Sequence, residues 1–463
     1  MKKVWATLRT LGILLALWVI LAAVGLIAEV IPLDGGTPTP RDEVADAGPA
    51  AVDAGVTVAD AGVDAGAVAA DAPAAPTDGP TAPRWIVCAA TADPSLVAAQ
   101  LFGDERPEIV VGCGDRWEVV AIGASGPARI ATFLAPAVPA EQRARTGPAA
   151  TGDVDGDGNI DLVLPLAQET EAGASRGGGL FWIARDGFGG IREPVALAPI
   201  AAWSAAVSPL DAQDGADIVA MNRANALAQL PSEAWVFGGG GAPARRATVP
   251  AGLAGVTALV SDIDRDGYAD VVSLARDRVG LGFGDGRGAF PRTHSFTFTG
   301  AREIALGDVD GDGGVDLAVL GDDLKWIPAG PVGSMEPRGV DGVPTALRGL
   351  SISDVDGDGK LDFIGWDHPR LVILRQGEAL SFTLDPTLTL AGDALGPRRH
   401  VLVDADGDGS QDDLVLLGTS GEDGPIELVI VPDAIGHGEL TPAAEAAPLP
   451  DAPLMLRATL PAG

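Results

Sequence analysis

The stretch GDVDGDGNIDLVL, residues 152–164, places four aspartates and three glycines in its first ten positions and then turns abruptly apolar. Four more segments align on it: SDIDRDGYADVVSL from Ser261, GDVDGDGGVDLAVL from Gly307, SDVDGDGKLDFIGW from Ser353 and VDADGDGSQDDLVLL from Val403. All five follow D-x-D-x-D-G-x-x-D and lead into an apolar run. Carboxylates at positions 1, 3, 5 and 9 converge only if the backbone coils tightly, and glycine at position 6 permits that turn. So many acids in one place repel one another. A hard divalent cation offsets the repulsion, and several carboxylates with a backbone carbonyl at position 7 suit Ca²⁺ better than Mg²⁺, which retains more water.

The expected side-chain ligands are Asp153, Asp155, Asp157 and Asp161; Asp262, Asp264, Asp266 and Asp270; Asp308, Asp310, Asp312 and Asp316; Asp354, Asp356, Asp358 and Asp362; and Asp404, Asp406, Asp408 and Asp412. The carbonyls of Asn159, Tyr268, Gly314, Lys360 and Ser410 stand at position 7. About five Ca²⁺ ions are therefore expected. The EF-hand begins with the same D-x-D-x-D-G, but needs a bidentate Glu at position 12 and flanking helices. Position 12 here is Leu164, Ser273, Val319, Gly365 or Val415. The runs that follow, such as IDLVLPL and ADVVSL, are short and rich in β-branched residues, which reads as strand.

Two degenerate copies complete the series, FGDERPEIVVG from Phe102 (with Asp104 and Glu108 at the outer positions) and LDAQDGADIVAMN from Leu210. The acid heading the second strand then falls at Glu108, Asp161, Asp217, Asp270, Asp316, Asp362 and Asp412, with gaps of 53, 56, 53, 46, 46 and 50 residues. Such a period means a propeller or a solenoid. Between loops lie a third strand (RWEVVAIG, LFWIARD, AWVFGG, RVGLGFG, LKWIPAG, RLVILRQ, IELVIVP) and a fourth. Four short strands repeated seven times predict an all-β, seven-bladed β-propeller.

These repeats resemble the FG-GAP/VCBS family, whose calcium-loop blades also build integrin α-subunit head domains. Phe283-Gly284 within GLGFGDGRGAF matches the family's "FG" near the third strand. The resemblance spans roughly residues 85 to 445 and is specific in five of the seven units. The loops of units one and three lack ligands, and no metal is expected there.

The chain before the repeats is different in kind. Lys2, Lys3 and Arg9 precede an uncharged apolar run over residues 11–28, which predicts a signal-anchor helix (1–33) with its basic end in the cytoplasm, or alternatively a cleaved signal peptide and a secreted product. Residues 34–84 carry nine acidic and two basic side chains among Ala, Gly and Pro, with no core-forming period, and read as a disordered linker reaching roughly 40 Å. The propeller then occupies 85–463. Cys88 and Cys113, the only two cysteines, are expected to form a disulfide stapling the domain's first strands in an oxidising, extracytoplasmic compartment.

The 64 acidic and 31 basic residues give a formal charge of −33, which disfavours nucleic acid as a partner. Trp117, Trp182, Trp235 and Trp326 fall at comparable third-strand places and are expected to pack between blades. His294, His368, His400 and His437 share no ligand spacing and read as surface or loop residues. No local hydrolase, zincin, P-loop or dinucleotide motif is present, and the single tyrosine, Tyr268, sits inside a metal loop. The expected function is a monomeric, non-catalytic, calcium-stabilised propeller presenting a face to a protein or glycan ligand. The alternative is a cell-surface polysaccharide lyase or hydrolase on the same scaffold.

Overall fold

The computed structural model describes residues 81–459 apart from short internal stretches. The expected membrane helix and nearly all of the expected linker lie outside the described residues, as do Asp104, His368 and His437. Among the described residues no helix is long and apolar enough to cross a membrane. Strand pairing begins with Thr81–Ala82 and Arg84–Cys88, so the folded chain starts a few residues inside the stretch expected to be linker.

Seven antiparallel sheets follow one another along the chain and form seven blades of four strands each. Blade 4 is representative: Thr257–Ser261, Asp270–Ala275, Arg278–Phe283 and Arg292–Thr297 pair in sequence order. The first strands of all seven blades line the middle of the ring, where Val97, Ala150, Ala205, Leu259, Leu306, Ile352 and Val401 border two cavities. In blade 2 that strand is split into Gln142–Thr146 and Ala150–Gly152, both paired with Asp161–Thr170.

The second strands are buried along most of their length, and Asp316–Leu320 and Asp413–Thr419 at every position. Each lies mid-sheet with a neighbouring blade against either face, so its apolar run is continuous rather than alternating. The core is accordingly a series of clusters between successive blades. Trp117 and Phe133 of blade 1 meet Leu162, Leu164 and Phe181 of blade 2, and Trp326 of blade 5 meets Phe363 and Val372 of blade 6. Trp182 packs with Phe237 across the joint of blades 2 and 3, and Trp235 lies partly buried against that cluster. Trp117 is wholly buried and donates its indole N–H to the Gly147 carbonyl at 3.2 Å, so truncation to alanine should cost about 3–5 kcal/mol.

Sequence order does not reveal the closure. Arg84–Cys88 is the fourth strand of blade 7, paired antiparallel with Ile426–Val431, so the two ends of the folded chain share one sheet. Arg84 reinforces it through a buried ion pair, its Nε 2.6 Å from Glu427 Oε2. Cys88 and Cys113 are bonded, as expected. The bond, however, joins this closing strand of blade 7 to the end of the second strand of blade 1, rather than two strands at the domain's start. Beyond blade 7 the chain adds short parallel strands to three outer edges in turn: Glu439–Pro442 on blade 6, Ala447–Pro448 on the closing strand and Leu454–Arg457 on blade 1.

Candidate metal centres

Each complete loop joins the first strand of its blade to the second, so one architecture presents all five. The loop is folded by its first aspartate. Asp153 Oδ1 accepts the N–H groups of Gly156 and Asp157 at 2.8 and 3.0 Å, and its Oδ2 accepts that of Gly158 at 2.8 Å. Asp354 and Asp404 repeat the arrangement, and Asp262 and Asp308 repeat its bonds to the fifth and sixth N–H groups. The glycine at position 6 has φ between 81° and 96° in all five loops, the left-handed conformation the sequence pattern called for.

The ninth-position acid is the innermost. Asp161, Asp270 and Asp316 are wholly buried, and each accepts N–H groups both from its own loop and from the chain leaving the third strand. For Asp270 these include Ile263 at 3.0 Å and Gly284 at 2.8 Å; for Asp316, Val309 at 2.9 Å and Ala329 at 2.7 Å. Asp161 also accepts the Trp182 indole N–H at 3.0 Å. Burial raises all of these carboxyls, Asp270 to about 7 and Asp316 and Asp362 to about 6.

In the fifth loop the structure corrects the sequence reading. Asp413, not Asp412, heads the second strand and takes the buried place, accepting from Ala405 at 2.6 Å and from Asp433 at 2.8 Å. That loop is one residue longer than the others, and the spacing pattern had stopped at the first of two adjacent acids.

The first, third and ninth acids come together. Asp153, Asp155 and Asp161 offer oxygens within 4.8 Å of one another, as do Asp262, Asp264 and Asp270; Asp308, Asp310 and Asp316; Asp354, Asp356 and Asp362; and Asp404, Asp406 and Asp413. The fifth-position acids are instead turned to position 7. Asp157, Asp266, Asp312, Asp358 and Asp408 accept the N–H groups of Asn159, Tyr268, Gly314, Lys360 and Ser410 at 2.8–3.0 Å.

Whether these sites fit a cation can be judged from the atoms left over. Asp155 Oδ1, Asp264 Oδ1 and Asp310 Oδ1 are buried with no hydrogen-bond donor. A buried anionic oxygen without a donor costs free energy, and next to two further carboxylates a hard dication is the natural partner. Burial and the neighbouring acids push Asp155 and Asp310 upward, the direction expected of acids crowded together without one.

Two other sequence expectations are settled by position. Tyr268 projects outward, about half exposed, with its ring over Gly286, where a Cβ would lie 2.3 Å from the ring. His400 is not a surface residue. It is buried in the first strand of blade 7, its Nε2 3.0 Å from Ser351 Oγ in blade 6, and burial lowers its pKa to about 4. Only the packing of a neighbouring blade buries it, so no local pattern announces it.

Residues 262–319, which hold the loops of blades 4 and 5, match the FG-GAP-like repeat family model. The match places an FG-GAP-like repeat in blades 4 and 5 of the seven-bladed ring. No curated protein matches it in sequence. Among solved structures it is similar to an Agrocybe aegerita lectin that recognises non-reducing terminal N-acetylglucosamine (16% identity, 73% of this chain and 94% of that one, TM-score 0.46). It is also similar to BBS1N in complex with ARL6DN (11%, 77% and 97%, 0.45) and to the Bacillus licheniformis rhamnogalacturonan lyase (13%, 79% and 75%, 0.40).

Proposed function

We propose that this is a calcium-stabilised, non-catalytic propeller that works outside the cytoplasm and presents a face to a protein or glycan ligand. The metal reading is carried by one observation, the convergence of three acids in each of five loops with buried oxygens lacking donors at Asp155, Asp264 and Asp310. The first, third and ninth acids of each loop hold the ion. The fifth acid and the carbonyl at position 7 (Asn159, Tyr268, Gly314, Lys360, Ser410) complete its shell. Bound calcium supplies the positive charge that lets these acids remain ionised side by side. The ninth acid, latched to both ends of its hairpin, ties the loop to the blade.

This is a stabilising role rather than a chemical one. The extracytoplasmic location is supported by the Cys88–Cys113 bond, since structural disulfides persist in oxidising compartments. Incubating the protein with a panel of polysaccharides and assaying unsaturated and reducing ends tests the non-catalytic reading; turnover of any polymer overturns it in favour of a lyase or hydrolase. Elemental analysis of the purified protein tests the metal reading, with about five calcium ions per chain expected.

A further inference from the structure

The five complete loops differ at their fourth position. Four carry glycine there, Gly156, Gly311, Gly357 and Gly407, with φ between 70° and 82°. The blade 4 loop carries Arg265 with φ 61°, a conformation that disfavours any side chain. Something must hold it.

The contacts that hold it lie on the next loop. Arg265 Nη1 is 2.6 Å from Asp312 Oδ2, and its Nη2 donates to the Asp312 carbonyl at 2.9 Å. Its stem runs so close over Gly314 that a Cβ there would sit 3.0 Å from Arg265 Nε. Asp312 is the fifth-position acid of blade 5, and its Oδ1 already accepts the Gly314 N–H at 2.9 Å. Both of its oxygens are therefore engaged, one by a cation from the neighbouring loop. The equivalent acid of blade 2, Asp157, is engaged within its own loop by the backbone and side-chain N–H groups of Asn159.

We propose that Arg265 is a positioning residue that weakens divalent-cation binding at the blade 5 loop, by holding Asp312 and by placing a positive charge beside that site. The inference rests on reading the loops as cation sites. A cation entering the blade 5 loop meets the guanidinium's repulsion and must draw Asp312 away from it. Other loops also hold cations, Arg292 lying 2.8 Å from Asp264 and 3.5 Å from Asp266 in blade 4, Arg338 3.8 Å from Asp310 in blade 5, and Arg375 and Lys360 2.6 and 3.0 Å from Asp356 and Asp358 in blade 6, but none of these side chains comes from the loop of the preceding blade. Among the described residues, Arg265 is the side chain that joins one loop to the next across this pair.

Radiocalcium equilibrium dialysis on the full chain at low salt tests this. R265G, which installs the residue the other four loops use, should strengthen one site about three- to tenfold with the total number unchanged. The gain should shrink as salt rises. In a D308N/D310N background, which removes the blade 5 site, R265G should have no effect. Superimposable wild-type and R265G isotherms overturn the proposal, as does an effect that survives in the D308N/D310N background, since it would then act at blade 4. A wild type that binds no calcium removes the metal reading itself, an outcome distinct from either of these.

Discussion

The loops of blades 1 and 3 have lost most of what defines the other five, yet they keep one residue in the same place. Asp217 Oδ2 accepts the Leu210 N–H at 3.0 Å and its Oδ1 that of Gly239 at 2.9 Å, the latch Asp270 makes with Ile263 and Gly284. Glu108, buried, does the same for Leu101 at 2.8 Å. Counted back from that acid, the first position is Gln100 in blade 1 and Pro209 in blade 3, where the complete loops have the aspartate that folds the turn. The ninth acid is therefore part of the blade, and the first and third are what a cation site adds. A lone acid heading the second strand is no evidence of metal.

The loops also fasten blades to one another. The second-position carbonyls of Val154 and Ile263 accept N–H groups of Gly240 and Gly330, on the next blade, at 2.8 and 2.7 Å. A loop that loses its shape loses this joint as well. The largest consequence should appear on chelation. At a free calcium concentration ten times the dissociation constant, each site adds about 1.4 kcal/mol by mass action, so five independent sites add roughly 7, comparable with a whole domain's net stability. Thermal melts in EDTA should fall well below those in calcium, and magnesium should restore them poorly. Equal melting temperatures in the two conditions would erase the distinction between complete and degenerate loops.

The next test separates latch from metal. Replacing Asp217 by alanine leaves the Leu210 and Gly239 N–H groups without their acceptor, at about 1–3 kcal/mol for each such group, while bound calcium stays unchanged. Asp155→Ala is the converse. It removes no latch, so it should cost only about the 1.4 kcal/mol of one ion and reduce bound calcium by one. Denaturant unfolding alongside elemental analysis reads both. An ion lost on replacing Asp217 would make blade 3 a metal site and end the contrast.

Much of this was legible because it is written locally. The aspartate spacing, the glycine turns and the apolar second strands each sit within about ten residues, and together they give seven blades, five loops and the period. What the sequence hid is what depends on distant chain. The RWIVC segment reads as an opening strand, but its partner at Ile426–Val431 lies more than three hundred residues away. Parallel edge strands such as Ala447–Pro448 and Leu454–Arg457 carry no alternation, because they pair only along the outer edge of an existing sheet. Asp412 and Asp413 are chemically identical neighbours. Only the register of Asp413 with Val403 decides which of them enters the cluster.

The smallest expected effect concerns protons, at the innermost acid of a complete loop when no ion is present. Burial raises Asp270 to about 7 in the ion-free protein, against about 3.9 in an unfolded chain. The folded state then binds the proton more tightly, so between those values the ion-free fold gains stability as pH falls and loses it as pH rises through 7. His400, lowered to about 4, works in the opposite direction between about pH 6.5 and 4, so the informative window is pH 8 to 6.5. In EDTA the melting temperature should rise by about a degree across that window, a gain below about 1 kcal/mol. In saturating calcium the rise should vanish or reverse, because the proton and the ion compete for the same carboxylate. Asp270→Asn should remove most of the rise in EDTA, leaving only the smaller share of Asp316 and Asp362, raised to about 6. A rise that persists undiminished in Asp270→Asn would place the proton elsewhere.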